Sequence, residues 1–439
     1  MAERGLVIAG LSSGSGKTTI TLGLLKAMVH AGHDVCAAKC GPDYIDGAFL
    51  SAASGRPAVN LDAHAMPAAM LHRLAATQPG RTLIIEGVMG LFDGTDGGSG
   101  STASLATSLG IAVILVIDCR HQAQTAAAIA AGLATQLSEG ASLSGVILNR
   151  VASPRHGALI TEALTQRGVH CFGCLPSDDK MAVPSRHLGL VQAADLAANS
   201  DLDPRIDAAA RLVGAHLNVE GIIDAATPLP GASCEAAKPC LPVPGQRIAV
   251  ANDRAFGFAY HHVIEDWQIA GAEILSFSPL KNEAPRADSD FIFLPGGYPE
   301  LHLAQLSTAE IFLDGLRNAA AKGTPIYGEC GGYMTLGKSI TDADGQSFPM
   351  ANLLQLETSF ANRKLHLGYR HMTLAREAAA LWPGLDQAVG HEFHYTTATK
   401  SDGKPLFSVA DPTGAALGMT GLIESNVFGS YAHMIAAGD

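Results

Sequence analysis

A strand that is apolar on both faces must be covered on both faces, and the first half of this chain holds several such strands. They read "GLVIAG" (5–10), "DVCAAK" (34–39), "TLIIEG" (82–87), "AVILVID" (112–118) and "GVILNR" (145–150). Ala/Leu-rich stretches with helical spacing, among them Thr18–His30 and Gln122–Leu137, lie between them. Strand and helix in alternation predict a parallel sheet with helices on both sides. The pattern stops at "ATPLPGASCEAAKPCLPVPGQ" (226–246), whose Pro, Gly and small residues read as a linker. A second strand series follows: "RIAVAN" (247–252), "AEILSFS" (272–278), "DFIFLPGG" (290–297) and "TPIYGE" (324–329). The expectation is an α/β chain of two domains, 1–225 and 247–439, joined by 226–246.

Composition narrows the function. The net charge of −12 argues against sequence-independent nucleic-acid binding, which needs a basic face. No apolar run reaches transmembrane length, and no signal-peptide pattern opens the sequence, so no membrane partner is expected. Eight cysteines scattered through 439 residues fit a reducing cytoplasm better than a disulfide framework. The pair Cys171 and Cys174 is the lone CxxC, which reads as structural without a second pair nearby.

"GLSSGSGKTT" (10–19) joins the first strand to the first helix, the context a phosphate-binding loop requires. Gly14 and Gly16 let the backbone approach an anion, and the N–H groups of Ser15, Gly16 and the helix start would point at it. Lys17 would reach the β- and γ-phosphates of ATP, Thr18 would offer its hydroxyl to Mg²⁺, and Thr19 continues the turn. The plainer alternative is a Gly/Ser turn with no ligand. The leading glycine, Gly10, stands one residue further from Lys17 than the strict spacing allows, since Leu11 takes the usual place. This longer loop resembles that of dethiobiotin synthetase and its relatives, in which ATP activates a carboxylate. That resemblance implies that Asn149, with Arg150 beside it at a later strand end, reads the adenine edge; a strand-end polar pair is the alternative.

Three acids belong to the same rim. Asp43 and Asp46 in "KCGPDYIDG" (39–47) follow the second strand, and Glu86 ends another. Ligands of open parallel sheets bind beyond the C-terminal strand ends. Carboxylates there suit Mg²⁺, with Thr18, Glu86 and Asp43 as candidate ligands, and suit the positioning of an acyl phosphate or ammonia. Turn chemistry is the alternative for Asp43 and Asp46. Asp93 and Asp118 are weaker candidates.

In the second half, "TPIYGECGGYMTLG" places Cys330 between a strand and a helix, among Gly328, Gly331 and Gly332. A nucleophile on such an elbow stands clear of the sheet, and neighbouring N–H groups can stabilise an oxyanion. The helix start favours thiolate. His433 in "GSYAHMI" (429–435) is the candidate base. The backbone of "LPGGYPE" (294–300) could complete the oxyanion hole. The plainer reading makes Cys330 a buried filler and His433 a surface residue.

These residues resemble a class I glutamine amidotransferase domain, in which the elbow cysteine hydrolyses L-glutamine and releases ammonia. The whole chain resembles the cobyrinic acid a,c-diamide synthases, including the hydrogenobyrinic acid variant. The likeness rests on "GLSSGSGKTT", "GPDYIDG", "EGVMGLFDG", "SRHLGL" (185–190), "ANDRAFGFAY", "FSPL", "LPGGYPE", "LHLGYR" (365–370) and "GHEFHY" (390–395). It implies a dethiobiotin-synthetase-like P-loop domain followed by a class I glutaminase domain. It also implies ATP, Mg²⁺, glutamine and a corrin-type macrocycle bearing carboxylates, with a homodimer as an open expectation. Arg370, His391 and His394 are candidates to face the macrocycle or, equally, ordinary core groups. Many class I domains carry Glu two residues after the catalytic His, where this chain has Ile435, so a carbonyl or an acid from elsewhere must orient His433. The competing readings are an amidotransferase for another tetrapyrrole such as nickel-sirohydrochlorin, a P-loop ATPase with a non-catalytic tail, and a binding module whose two sites are vestigial.

Overall fold

The computed structural model describes residues 1–177, 202–231 and 238–438, in two compact units, Met1–Ala237 and Lys238–Asp439. "SRHLGL" lies outside the described residues. In the first unit the strands are β1 (Arg4–Gly10), β2 (Val35–Cys40), β3 (Val59–Leu61), β4 (Thr82–Glu86), β5 (Ala112–Asp118), β6 (Ser142–Val151) and β7 (Cys171–Pro176). They form a parallel sheet in the order β3-β2-β4-β1-β5-β6-β7. The sheet is covered as the apolar runs require: Leu6 to Ala9 of β1 and Val113 to Val116 of β5 are fully buried. The short β3 and the edge strand β7, irregular in register against β6, carry too weak a pattern to be read from sequence.

β1 lies between β4 and β5, where the winding changes side, and that is where open α/β sheets bind ligands. The loop after β1 leads into helix α1 (Lys17–His30) from Gly16, whose φ of 96° admits glycine but few other residues. Helix α2 (Tyr44–Ser54) follows β2 and is capped by Asp43, which accepts from the N–H groups of Ile45 and Asp46. The stretch expected to be linker begins with order: β8 (Thr227–Pro228) pairs antiparallel with the start of β1.

The second unit continues with β9 (Arg247–Ala251), β10 (Glu273–Phe277), β11 (Phe291–Leu294), β12 (Ile326–Glu329), β13 (Ser339–Thr341), β14 (Ser347–Pro349) and β15 (Leu356–Ser359). Next come β16 (His366–Leu374), β17 (Gln387–His394), β18 (Thr397–Ser401) and β19 (Phe407–Ala410). The last are β20 (Ala416–Thr420), β21 (Leu422–Glu424), β22 (Val427–Ser430) and β23 (His433–Ala437). The main sheet runs β10-β9-β11-β12-β22-β21, parallel except for β21. An antiparallel sheet, β20-β19-β16-β17-β23, and a four-stranded one, β14-β13-β15-β18, complete the unit. These two sheets were not anticipated, because polar strands such as "HLGYRHMTL" show no clean alternation.

The turn after β12 is strained and tightly held. Cys330 has φ 43° and ψ −102°, outside the ordinary regions for an L-residue. Its N–H donates to the Ser430 carbonyl at 2.8 Å, and its carbonyl accepts from Met334 N–H at 2.9 Å. A Cβ on Gly332 would fall on the Leu294 carbonyl oxygen, so β11 and the helix Gly331–Leu336 touch where only glycine fits. Gly332→Ala is therefore predicted to destabilise the second unit by about 3 kcal/mol. Both tryptophans, Trp267 and Trp382, lie in that unit, so urea unfolding followed by their fluorescence reads it directly. A midpoint equal to wild type would show that the close approach is not needed.

Candidate functional site

In the phosphate-type loop Gly14 and Gly16 take φ of 78° and 96°. The Ser15 hydroxyl donates to the Ser12 carbonyl at 2.8 Å. Asn149 Nδ2 donates to the Ser15 carbonyl at 2.9 Å, and Arg150 Nη1 donates to the Gly14 carbonyl at 2.8 Å. Arg150 is itself held by Asp118 at 2.6 Å. A trans peptide points its C=O and N–H in opposite directions, so these bonds turn the N–H groups of Ser15 and Gly16 away from β6. Asn149 thus braces the loop, and its Oδ1 accepts from Arg150 N–H at 3.0 Å. Lys17 Nζ donates to the carbonyls of Ser12 at 3.1 Å and Met89 at 2.5 Å. Burial, with Lys39 nearby, pushes its ammonium down to about 8. Thr18 and Thr19 are half-buried in the first turn of α1.

Beside the loop sits a buried charge cluster. Glu86 at the end of β4 has no exposed surface. Its Oε1 accepts from Thr18 Oγ1 at 2.5 Å and lies 3.1 Å from Lys39 Nζ. Lys39 also pairs with Asp46 at 2.8 Å. The register makes this meeting inevitable, since Lys39 of β2 stands opposite Glu86 of β4. Burial raises the Glu86 carboxyl against the opposing pull of Lys39, whereas Lys39 stays above its ordinary value because Asp46 and Glu86 outweigh its own burial. Glu86 Oε2 is buried without a hydrogen-bond partner among the described residues. A hydroxyl and a carboxylate in contact, with one carboxylate oxygen left over, suit a small hard cation. Asp43 caps α2 and adds its charge to those that hold Lys39 up, and Asp93 accepts from the Gly90 N–H at 2.8 Å. Lys39 was not singled out by sequence; a lysine closing an apolar strand is the signal that could have found it.

In the second unit Cys330 stands at the end of β12, hydrogen-bonded through its backbone to Ser430, and His433 opens β23 three residues further on. Glu329, directly before Cys330, is buried and brings its Oε2 to 3.7 Å from His433 Nδ1. Its other oxygen accepts from Met434 N–H at 3.0 Å. Burial pushes the Glu329 carboxyl up to about 8 and, with His391 beside it, pushes His433 down to about 3. Burial also raises the Cys330 thiol, and the buried carboxyl of Glu300 adds to this. Gly296 of "LPGGYPE" packs on the His433 ring, where a Cβ would collide with it. Glu329 is the acid that sequence reading left unnamed. It lies inside the quoted elbow, and a charge within a buried strand was the available signal.

The remaining candidates cluster on β16 and β17. Arg370 Nε pairs with Glu392 at 2.7 Å, and His394 Nε2 lies 2.8 Å from the other oxygen of Glu392. His391 packs edge-on against Tyr369. Cys171 and Cys174 are free thiols, and Thr161 Oγ1 lies within 3.9 Å of each sulfur. No helix among the described residues is long and apolar enough to cross a membrane.

Comparison with known proteins fits both units. Residues 6–191 match the CobQ/CobB/MinD/ParA nucleotide binding domain, and residues 247–439 match the CobB/CobQ-like glutamine amidotransferase domain. The class is therefore a two-domain glutamine amidotransferase with a nucleotide-binding N-terminal domain. The chain is 46% identical over 435 residues to hydrogenobyrinate a,c-diamide synthase of Rhizobium meliloti, covering 98% of this chain and 99% of that one. It is 45% identical over 440 residues to the synthase of the same name from Rhodobacter capsulatus, covering 99% of each. The chain belongs to the hydrogenobyrinate a,c-diamide synthase family.

The charge cluster yields a stability test. Replacing Lys39 by Met leaves the buried Glu86 and the half-buried Asp46 without their cation, which is predicted to cost roughly 3–5 kcal/mol. Scanning calorimetry of the full chain should show the transition of the first unit shifted down and that of the second unchanged. Equal transitions in wild type and variant would mean that the cluster contributes nothing to folding.

Proposed function

We propose that the chain amidates the a and c carboxylates of hydrogenobyrinic acid, or its cobalt-containing counterpart cobyrinic acid, with ATP and glutamine, as a step of cobalamin biosynthesis. The observation that carries this reading is the pairing, in one chain of that family, of the braced phosphate loop beside Glu86 with the Cys330 elbow beside His433 and Glu329.

Glutamine is the nitrogen source. His433 takes the Cys330 thiol proton, and the thiolate attacks the side-chain amide of glutamine. Ammonia leaves, a thioester forms, and water then releases glutamate. Burial keeps the Glu329 carboxyl protonated and His433 neutral at neutral pH. As the imidazole gains the thiol proton, the thiolate balances the new positive charge, and the Glu329 carboxyl, 3.7 Å from His433 Nδ1, orients the ring. The bases and acids needed are thus poised as neutral groups in a buried site, and charge develops only during the reaction.

The first unit supplies the electrophile. The N–H groups of the loop and Lys17 hold the ATP phosphates, and anionic oxygens would replace the Ser12 and Met89 carbonyls as partners of Lys17. Thr18 and Glu86 would hold Mg²⁺, which supplies charge neutralisation to the β- and γ-phosphates. The γ-phosphoryl group passes to the substrate carboxylate, and ammonia displaces phosphate to leave the carboxamide. A carboxylate is a poor electrophile, and ammonium is no nucleophile at neutral pH. One chain therefore needs both chemistries.

The test is a split of nitrogen sources. Cys330→Ala should lose diamide formation with glutamine and keep it with free ammonia, whereas Lys17→Ala should lose both. Mass analysis of hydrogenobyrinic and cobyrinic acid incubations reads mono- and diamide directly. Loss of the ammonia reaction in Cys330→Ala would sink the two-site reading. Glu329→Gln should lower glutamine-driven turnover by roughly 10–100-fold with the ammonia-driven rate retained. Wild-type glutaminase activity in that variant would remove Glu329 from the mechanism.

A further inference from the structure

One cluster of the second unit has a geometry that the amidation leaves unused. β16 and β17 are antiparallel, with His366 opposite His394, and residues two apart on a strand share a face. Glu392 and His394 therefore project from one face of β17, and His366 joins them across the ladder. One nitrogen or oxygen from each of these three lies within 4.8 Å of the others. The rings of His366 and His394 are stacked, with centroids 4.7 Å apart.

The hydrogen bonds show that something positive belongs among them. His394 Nδ1 is 3.0 Å from the Thr396 carbonyl, which can only accept, so Nδ1 carries the proton. Nε2 of the neutral ring then holds a lone pair, yet it lies 2.8 Å from Glu392 Oε1, another acceptor. Two acceptors at that distance need a proton or a metal ion between them. His366 Nε2 is buried and has no hydrogen-bond partner among the described residues, so no other group satisfies it. A proton between His394 and Glu392 satisfies two of the three groups, and a metal ion satisfies all of them.

We propose that His366, Glu392 and His394 form a binding site for one zinc-class divalent cation. Two imidazoles and a carboxylate oxygen make a borderline donor set that suits Zn²⁺ rather than Mg²⁺ or Ca²⁺, and they leave a fourth tetrahedral position open. The outer partners are those that orient metal ligands. The Thr396 carbonyl fixes the tautomer of His394, and Arg370 Nε holds the other oxygen of Glu392 at 2.7 Å. Tyr431, stacked on His394 with centroids 4.0 Å apart, closes one side of the ring.

The experiment uses the full chain freed of metal with a chelator and titrated with Zn²⁺ against a chromophoric competitor. We expect one ion per chain in wild type, bound at least a hundredfold more weakly in His366→Ala and in His394→Ala. Binding that neither substitution weakens would overturn the proposal, as would none tighter than millimolar; the latter would leave a proton between His394 and Glu392. Should the variants fail to fold, Co²⁺ added to wild type decides. Tetrahedral ligand-field bands without a thiolate charge-transfer band support this site, and a thiolate band would move the ion to the cysteines and refute it.

Discussion

Each unit ends a fully buried strand with a carboxylate, and the surrounding site is built to make that tolerable. Glu86 closes β4 and Glu329 closes β12, both out of water. A bare carboxylate there would cost several kcal/mol. The first unit solves this with an opposite charge: Lys39, itself buried, stands across from Glu86 and draws in Asp46. The second unit solves it with a proton: the Glu329 carboxyl is pushed up to about 8 and lies beside a neutral His433. The two solutions match the chemistry proposed for each site. A permanent charge cluster suits a site for polyphosphate and a cation, and a protonated acid beside a neutral imidazole suits acid–base work.

Glycine sets the other limit. At Gly16 the chain turns through a left-handed conformation so that α1 can begin at Lys17. At Gly332 the helix after Cys330 lies against the Leu294 carbonyl. Cys330 itself has a positive φ with no glycine to absorb it, and its backbone bonds to Ser430 and Met334 keep it there. In both places a strand end is joined to a helix start, so helix N–H groups and reactive side chain arrive together.

What the sequence disclosed follows from how far each feature reaches along the chain. The P-loop and the cysteine elbow are local: their glycines, strand and helix lie within some fifteen residues, and turn chemistry identifies them. The parallel sheet was legible because each of its central strands is apolar throughout. Lys39 and Glu329 are different. Lys39 matters because the register of β2 on β4 sets it against Glu86, and no single strand contains that fact. Glu329 goes unnamed in the sequence reading, because its neighbour His433 arrives from β23, about a hundred residues later. Asn149 shows the converse: its place at a strand end was read correctly, while its bond to the Ser15 carbonyl became visible only with the loop in three dimensions.

In the proposed mechanism, Glu329 takes the part of the carboxylate that is missing after His433. Ile435 stands where many amidotransferases carry Glu, and its side chain is buried in the sheet. β23 pairs with β17, so residues that alternate with His433 along the strand include Ile435 on the side of His433 itself. A carboxylate at Ile435 would approach the imidazole from the same strand. One at Glu329 approaches it from β12, the strand that also leads into Cys330. Acid and thiol are then adjacent in sequence and rigidly linked, so a shift of the elbow moves both relative to His433 together. The arrangement ties the orientation of the base to the geometry of the elbow, which a carboxylate on β23 would leave independent.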